Sequence, residues 1–193
     1  MVNNIFNNAA RILMVCSCLV MMASTVQAAD LDRFYAGGAV SSLDLFSSGS
    51  VTAVNATVGR KLDDLIPGDI GEMLSAEVRA GTGFGSATSS VGFLTYERKL
   101  NYFLSALARI DYPLMDELKV HAVAGVSYIA STYKFTNTLV PAASLPSQSV
   151  TTTSATVGVG AEYQITRQIS AGAEFTNYSG DVSGFSVNGR YAF

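Results

Sequence analysis

Strict alternation is the feature that most narrows what this chain can fold into. Leu74, Ala76, Val78, Ala80, Thr82 and Phe84 interleave with Ser75, Glu77, Arg79, Gly81 and Gly83. Val157, Val159, Ala161, Tyr163 and Ile165 interleave with Thr156, Gly158, Gly160, Glu162 and Gln164. The same period runs through Ile169, Ala171, Ala173 and Phe175 against Ser170, Gly172, Glu174 and Thr176. It returns in Phe185, Val187, Tyr191 and Phe193 against Ser186, Asn188 and Arg190. A period of two belongs to a β-strand, whose side chains point alternately to opposite faces. One face is apolar, and the other is polar or glycine with charge at mid-strand.

Eight candidate strands follow, at approximately 33–42, 51–61, 74–84, 99–112, 118–135, 152–165, 168–178 and 183–193, bounded by Gly, Asn, Asp, Pro or Ser/Thr clusters. Asp116-Glu117 and Thr166-Arg167 make tight turns, whereas 43–50, 85–98, 136–149 and 179–182 make longer or more polar connections. The connection at 62–73 is long for the short-turn side and has room for a helical turn. Short turns at one end and longer loops at the other are the asymmetry of a transmembrane barrel. The chain has a mean hydropathy of +0.30, yet nothing after residue 30 approaches a helical span. Apolar residues spread this thinly fit a wall in which only alternate residues face lipid.

Aromatic placement sharpens the expectation. On the apolar parity, Phe84, Tyr102, Tyr128, Phe175 and Phe185 lie toward the loop ends of their strands, and Tyr112, Tyr163, Tyr191 and Phe193 toward the turn ends. Between them stand only Ala, Val, Leu, Ile, Thr and Gly. Two aromatic rings around an aliphatic belt mark two membrane–water interfaces. Two strands are less tidy, because Phe103, Leu107, Val123 and Ile129 fall on the polar parity, and the first strand has no clear parity.

The polar parity gathers Glu77, Arg79, Arg109, Asp111, Glu162, Glu174 and Arg190, with Lys119 and His121 nearby. In a barrel whose outer face meets lipid, these residues must face the lumen. Eight strands leave an interior only wide enough for side chains, and buried charges persist when paired and hydrogen-bonded. The expected lumen is therefore a packed ionic network rather than a wide channel.

Both ends of the chain point the same way. Arg11, the apolar run from Ile12 to Ala23 and the small residues of Val26-Gln27-Ala28 read as an export signal over residues 1–28, with Ala29 or Asp30 as the new N-terminus. Both cysteines, Cys16 and Cys18, fall inside it. The mature chain, residues 29–193, would then have no cysteine, no disulfide and no thiolate metal site. It would carry eleven basic and fifteen acidic residues and no basic run, which argues against nucleic acid as a partner. At the other end the last strand stops on Phe193, with Tyr191 two residues before it. This segment resembles the C-terminal insertion signal of bacterial outer-membrane β-barrels, although Gly189 stands where that family often has a bulkier residue. Phe34-Tyr35-Ala36-Gly37-Gly38-Ala39, Gly125-Val126-Ser127-Tyr128 and Val157-Gly158-Val159-Gly160-Ala161-Glu162-Tyr163 resemble the same group. The chain is thus similar to the eight-stranded, opacity-protein-like outer-membrane β-barrel domains, which are related to the membrane domain of outer-membrane protein A.

The resemblance implies an all-β, antiparallel, eight-stranded up-and-down transmembrane barrel, monomeric, exported to the outer membrane of a Gram-negative cell. Its implied partners are outer-membrane lipids, lipopolysaccharide, the barrel-assembly machinery and an unidentified host or surface ligand. Three function classes remain: a structural or surface-interaction barrel, a narrow porin-like channel, and an outer-membrane enzyme. The last is disfavoured. The single histidine, His121, lacks the His-x-Ser spacing of barrel lipid A deacylases, because position 123 is Val, and Ser127 lies too far along the strand to be activated by it. Gly81-Thr-Gly-Phe-Gly is not a dinucleotide loop, because no helix follows it. No cofactor or metal site is expected. A soluble barrel such as a lipocalin would invert the faces, but the chain has no Trp and so lacks the usual Gly-x-Trp opening. The uncharged 136–149 loop, in a stretch with no basic residue from Lys134 to Arg167, argues against an adhesin for sulfated glycans.

Overall fold

A computed structural model describes residues 33–45, 49–91, 94–137, 147–179 and 182–193. The expected export segment at 1–28, its cleavage point and most of the expected 136–149 loop lie outside the described residues. In chain order the elements are β1 (Phe34–Asp44), β2 (Ser50–Lys61), α1 (Asp69–Met73), β3 (Leu74–Phe84), β4 (Ala87–Val91), β5 (Leu94–Pro113), β6 (Leu118–Asn137), β7 (Gln148–Gln164), β8 (Ile169–Ser179) and β9 (Val182–Ala192). All strand pairs are antiparallel, in the order β3-β2-β1-β9-β8-β7-β6-β5-β4, and a β3–β5 ladder closes the ring. Eight strands form the barrel, and β4 is an added short strand on β5. The last strand is held on both sides. It pairs with β1 from Tyr35↔Ala192 to Asp44↔Ser183 and with β8 from Ile169↔Tyr191 to Ser179↔Val182.

The alternation resolves as expected in direction. Every aromatic of the two expected rings is exposed, among them Phe84, Tyr112, Phe175 and Phe193, together with aliphatic Val40, Leu104, Val157 and Val187. Charged and hydroxyl side chains fill the inside. Glu77, Arg79, Arg109 and Glu174 are buried, as are Ser105, Ser127 and Thr156. Such an inverted distribution is costly in water, where large contiguous apolar surface is rare on monomers, and natural in lipid. A spanning strand needs about 9–11 residues, and β1, β3, β8 and β9 have 11 each.

Three strands run further than the sequence suggests. β5 and β6 have 20 residues each and β7 has 17, beyond the expected 99–112, 118–135 and 152–165. The expected 85–98 loop is instead largely a hairpin, in which Ala87 pairs with Arg98 and Ser90 with Thr95. Gly85, at φ 82, makes the left-handed step that leads into it. Thr88, Ser89 and Ser90 can pair there because strand propensity follows the neighbouring strand more than intrinsic preference. The long connection at 62–73 does hold a helical turn, α1, and folds compactly through Leu62 N–H to the Leu74 carbonyl at 2.9 Å and Gly71 N–H to the Gly68 carbonyl at 2.9 Å.

Size matching organises the interior. Large lumen side chains sit directly across a ladder from glycine: Tyr35↔Gly59, Phe103↔Gly81, Leu107↔Gly125, His121↔Gly160, Val123↔Gly158 and Leu43↔Gly184. A Cβ at Gly59 would lie 2.1 Å from the Tyr35 ring, and one at Gly160 would lie 2.6 Å from the His121 ring. The four residues that break the expected parity, Phe103, Leu107, Val123 and Ile129, are all buried in the lumen. Phe103 and Ile129 join Leu43, Leu45, Val51, Leu100, Tyr178 and Val182 in an apolar cluster at the loop end. A bulge between Leu100 and Tyr102 lets Leu100 point inward although its neighbours further along β5 do so at odd positions.

Val159 is 62% exposed on the outer face, whereas Thr156 of the same strand is 0% exposed inside. Val159→Arg is expected to cost about 2–4 kcal/mol in unfolding from lipid vesicles, with a smaller cost at positions nearer Tyr163. Thr156→Arg is expected to act through crowding instead, independently of bilayer thickness. A harmless charge at position 159 would mean that the faces are reversed.

Candidate functional site

The turn-end half of the lumen collects all seven charged residues singled out in the sequence. β3 presents Glu77 and Arg79 two residues apart, hence on one face. β5 presents Arg109 and Asp111 in the same way. β7, β8 and β9 contribute Glu162, Glu174 and Arg190. Arg79 bridges two carboxylates. Its Nη1 and Nη2 reach the two oxygens of Glu174 at 2.5 and 2.9 Å, while Nε and Nη2 reach Glu77 Oε2 at 3.0 and 2.7 Å. This fork-to-carboxylate geometry is the strong form of an ionic hydrogen bond.

Glu77 is the hub. Its Oε1 accepts from Arg190 Nη2 at 2.8 Å and from the Tyr35 hydroxyl at 2.8 Å, and Arg109 Nη1 stands 3.7 Å away. Arg109, 1% exposed, donates from Nη2 to Glu162 at 2.7 Å and from Nε to Asp111 at 2.7 Å. Arg190 Nη1 closes the circuit onto Glu162 at 3.2 Å, and its guanidinium lies 4.9 Å from the centre of the Tyr35 ring. Hydroxyls take up remaining carboxylate lone pairs, with Thr176 on Glu174 at 2.5 Å and Ser170 on Glu162 at 2.6 Å. Asp111 is the least enclosed member, with 27% of its side chain exposed toward the turn-end mouth.

Several participants were not singled out in the sequence, Tyr35, Thr176 and His121 among them. Tyr35 lies on the first strand, where Ala36, Gly37, Gly38 and Ala39 leave no parity to read. Thr176 shows only as one polar residue among many. His121, read merely as nearby, places Nε2 3.0 Å from Glu174 Oε2. Ser127 hydrogen-bonds Ser105 and Thr156, each at 2.6 Å, rather than the histidine. Chemically, the arrangement holds opposite charges in fixed geometry across the lumen, from β3, β5, β7, β8 and β9, with Tyr35 of β1 and His121 of β6 as polar partners. Removing one member of such a buried set leaves an uncompensated charge. Arg79→Ala is expected to destabilise the barrel by about 3–5 kcal/mol. In a double-mutant cycle, Arg79→Met with Glu174→Met is expected to recover much of that loss. Additive costs in vesicle unfolding would show that the pair is not coupled.

Solved structures share this architecture. Neisserial surface protein A aligns with a TM-score of 0.56 at 16% identity, covering 83% of this chain and 97% of that one. The N-terminal β-barrel domain of Pseudomonas aeruginosa OprF aligns with a TM-score of 0.51 at 13% identity, covering 82% and 97%. At such identities the likeness concerns the fold alone. No curated protein sequence is similar enough to this chain to count as a relative. The family described as outer membrane protein beta-barrel domain matches residues 14–193. With an apolar aromatic-ringed exterior, a charged interior and that match over nearly its whole length, the chain belongs to the outer membrane protein β-barrel domain family and resides in the outer membrane.

Proposed function

We propose that this protein is a sealed surface barrel, with a structural or surface-interaction role carried by its loop end rather than by transport or catalysis. The observation that carries this reading is the stacking of two different layers in one narrow lumen. The apolar cluster around Leu43, Leu100, Phe103 and Tyr178 lies toward the loops, and the Glu77–Arg79–Glu174 network lies below it. An ion crossing the barrel would have to enter an apolar layer and then separate charges whose attraction is strong in a low-dielectric interior. Support for a surface role comes from β5, β6 and β7, which outrun a membrane span and carry a sheet beyond the loop-end aromatics. The non-enzymatic reading is supported by His121, whose Nε2 is engaged by Glu174 rather than by a hydroxyl nucleophile.

The proposed partners are the membrane lipids, lipopolysaccharide in the outer leaflet, the assembly machinery during insertion and a surface ligand at the loops. The barrel is proposed to act as a monomer without cofactor. Phe193 is proposed as part of the insertion signal. Its N–H bonds the Phe34 carbonyl at 3.1 Å, and its ring meets Tyr191 edge-on at 5.4 Å, so the last residue also completes the seam between the two ends of the barrel.

Reconstituted protein is expected to show little or no steady conductance in planar bilayers. Arg109→Ala or Glu174→Ala should raise leak. Large, stable, porin-sized steps from the unaltered protein would replace this reading with the channel. For assembly, Phe193→Asp is expected to leave protein in the periplasm, degraded or aggregated. Equal outer-membrane yield for the variant and the parent chain would remove Phe193 from the signal.

A further inference from the structure

The turn-end mouth of the lumen is a cavity of about 180 Å³ that the network floors and the 62–73 connection partly walls, through Glu72 and Met73. Its charges divide into two groups. Asp111 and Glu162, at the floor, are committed to Arg109 and Arg190. Lys61 at the end of β2, Lys119 at the start of β6 and Arg167 in the β7–β8 turn also line the cavity. None of these three makes an ion pair or a side-chain hydrogen bond with a described residue.

The connection sorts its own charges so as to leave them free. Asp63 and Asp64 face Arg33 at 3.3 Å each, and Asp64 also binds Arg60 at 2.5 Å. Those arginines lie outside the cavity lining, so the two acids nearest to Lys61 in sequence are spent elsewhere. Glu72 is the one acid in the lining without an ion-pair partner among the described residues. The result is three uncommitted cations from three elements converging on one concavity, in a chain of formal net charge −3. With Asp111 and Glu162 paired and Glu72 as the one uncommitted acid, the uncommitted charge of the concavity is net positive, and an excess of one sign in a concave site concentrates counter-ions.

We propose that this mouth binds a phosphate-class anion presented from the periplasmic side, with Lys61, Lys119 and Arg167 as its ligands. The size fits a tetrahedral oxyanion with part of its hydration shell. The level fits as well: Tyr112, Tyr163, Tyr191 and Phe193 place the turn ends at a membrane interface. The same chemistry is therefore offered by a phospholipid headgroup of the inner leaflet and by a soluble phosphate. In this reading the long 62–73 connection is the wall of a binding site, shaped to neutralise Arg33 and Arg60 while exposing Lys61.

The test uses the folded barrel in a maltoside detergent, which contains no phosphate. Inorganic phosphate is titrated by calorimetry, with chloride at matched ionic strength as the control. In a second arm, native mass spectrometry scores retention of phosphatidylglycerol against phosphatidylcholine. Saturable phosphate binding, weakened about tenfold by Lys119→Gln or Lys61→Gln as expected for loss of one charged hydrogen bond, supports the site and a soluble ligand. Selective phosphatidylglycerol retention that the same substitutions abolish, without binding of free phosphate, supports the site and a lipid headgroup. Lys99→Gln, an exposed cation on β5 near the loop end, should change neither. Absence of both signals, or signals unchanged in Lys61→Gln/Lys119→Gln/Arg167→Gln, would overturn the proposal. Heat-modifiable gel migration shows that each variant is folded, and an intact barrel conductance block keeps this outcome separate from the sealed-lumen reading.

Discussion

A strand in lipid must give every backbone N–H and C=O a partner within the protein, because no water is present to take one. Closure of the ladder is the constraint on which everything else here depends. It is met where the two ends of the linear sequence come side by side, β1 with β9, and where β3 pairs β5 across the inserted β4 hairpin. The ring that closes has eight members and is narrow. Narrowness forces large inward residues to face glycines, and it forces inward charges to meet each other. The ionic network is thus a consequence of closure as much as of the charges themselves. Glu77 touches three arginines because three different strands bring them to the same small space.

The two halves of the lumen solve the same filling problem with different chemistry. At the loop end, dispersion and exclusion of water suffice. Phe103 stacks obliquely on Tyr178 at 5.4 Å among aliphatic neighbours. Toward the turns, polar atoms are buried, and Glu77, Glu162 and Glu174 are each shared among guanidinium and hydroxyl donors. A buried ion network of this kind is weak evidence for net stability, because desolvation offsets most of the attraction. Its physical effect is specificity. The arginines and carboxylates meet one another in one register only, and a slip of one residue would turn all of them toward lipid.

Much of this was legible in the sequence, and the gaps have physical causes. Alternation in β3, β7, β8 and β9 was enough to assign inside and outside, because lipid tolerates so little on the outer parity. The same argument brought the seven charged residues to one face. It could not bring them to one height, which depends on stagger between strands. Tyr35 escaped notice because small residues on both sides of β1 leave its orientation to be set by Gly59 across the ladder. Leu100 escaped because a bulge shifts parity without a residue type that announces it. The β4–β5 hairpin escaped because Ser and Thr are typical of loops and also pair well once a neighbouring strand is present. The apolar lumen cluster looked like untidiness in β5 and β6, since a polar interior was expected throughout.

The glycine opposite a large lumen residue such as Tyr35 or His121 carries an implication for how such a chain can change over generations. Tyr35 and Gly59, or His121 and Gly160, share one volume, so neither member of a couple can drift alone. A larger residue at 59 is admissible only after Tyr35 has become smaller, and the intermediate that has lost the tyrosine without gaining bulk leaves a void and a Glu77 short of one hydroxyl donor. Variation inside the barrel should therefore arrive as linked exchanges along ladder rungs, whereas the sheet beyond the membrane, with no such shared volume, is free to vary one position at a time.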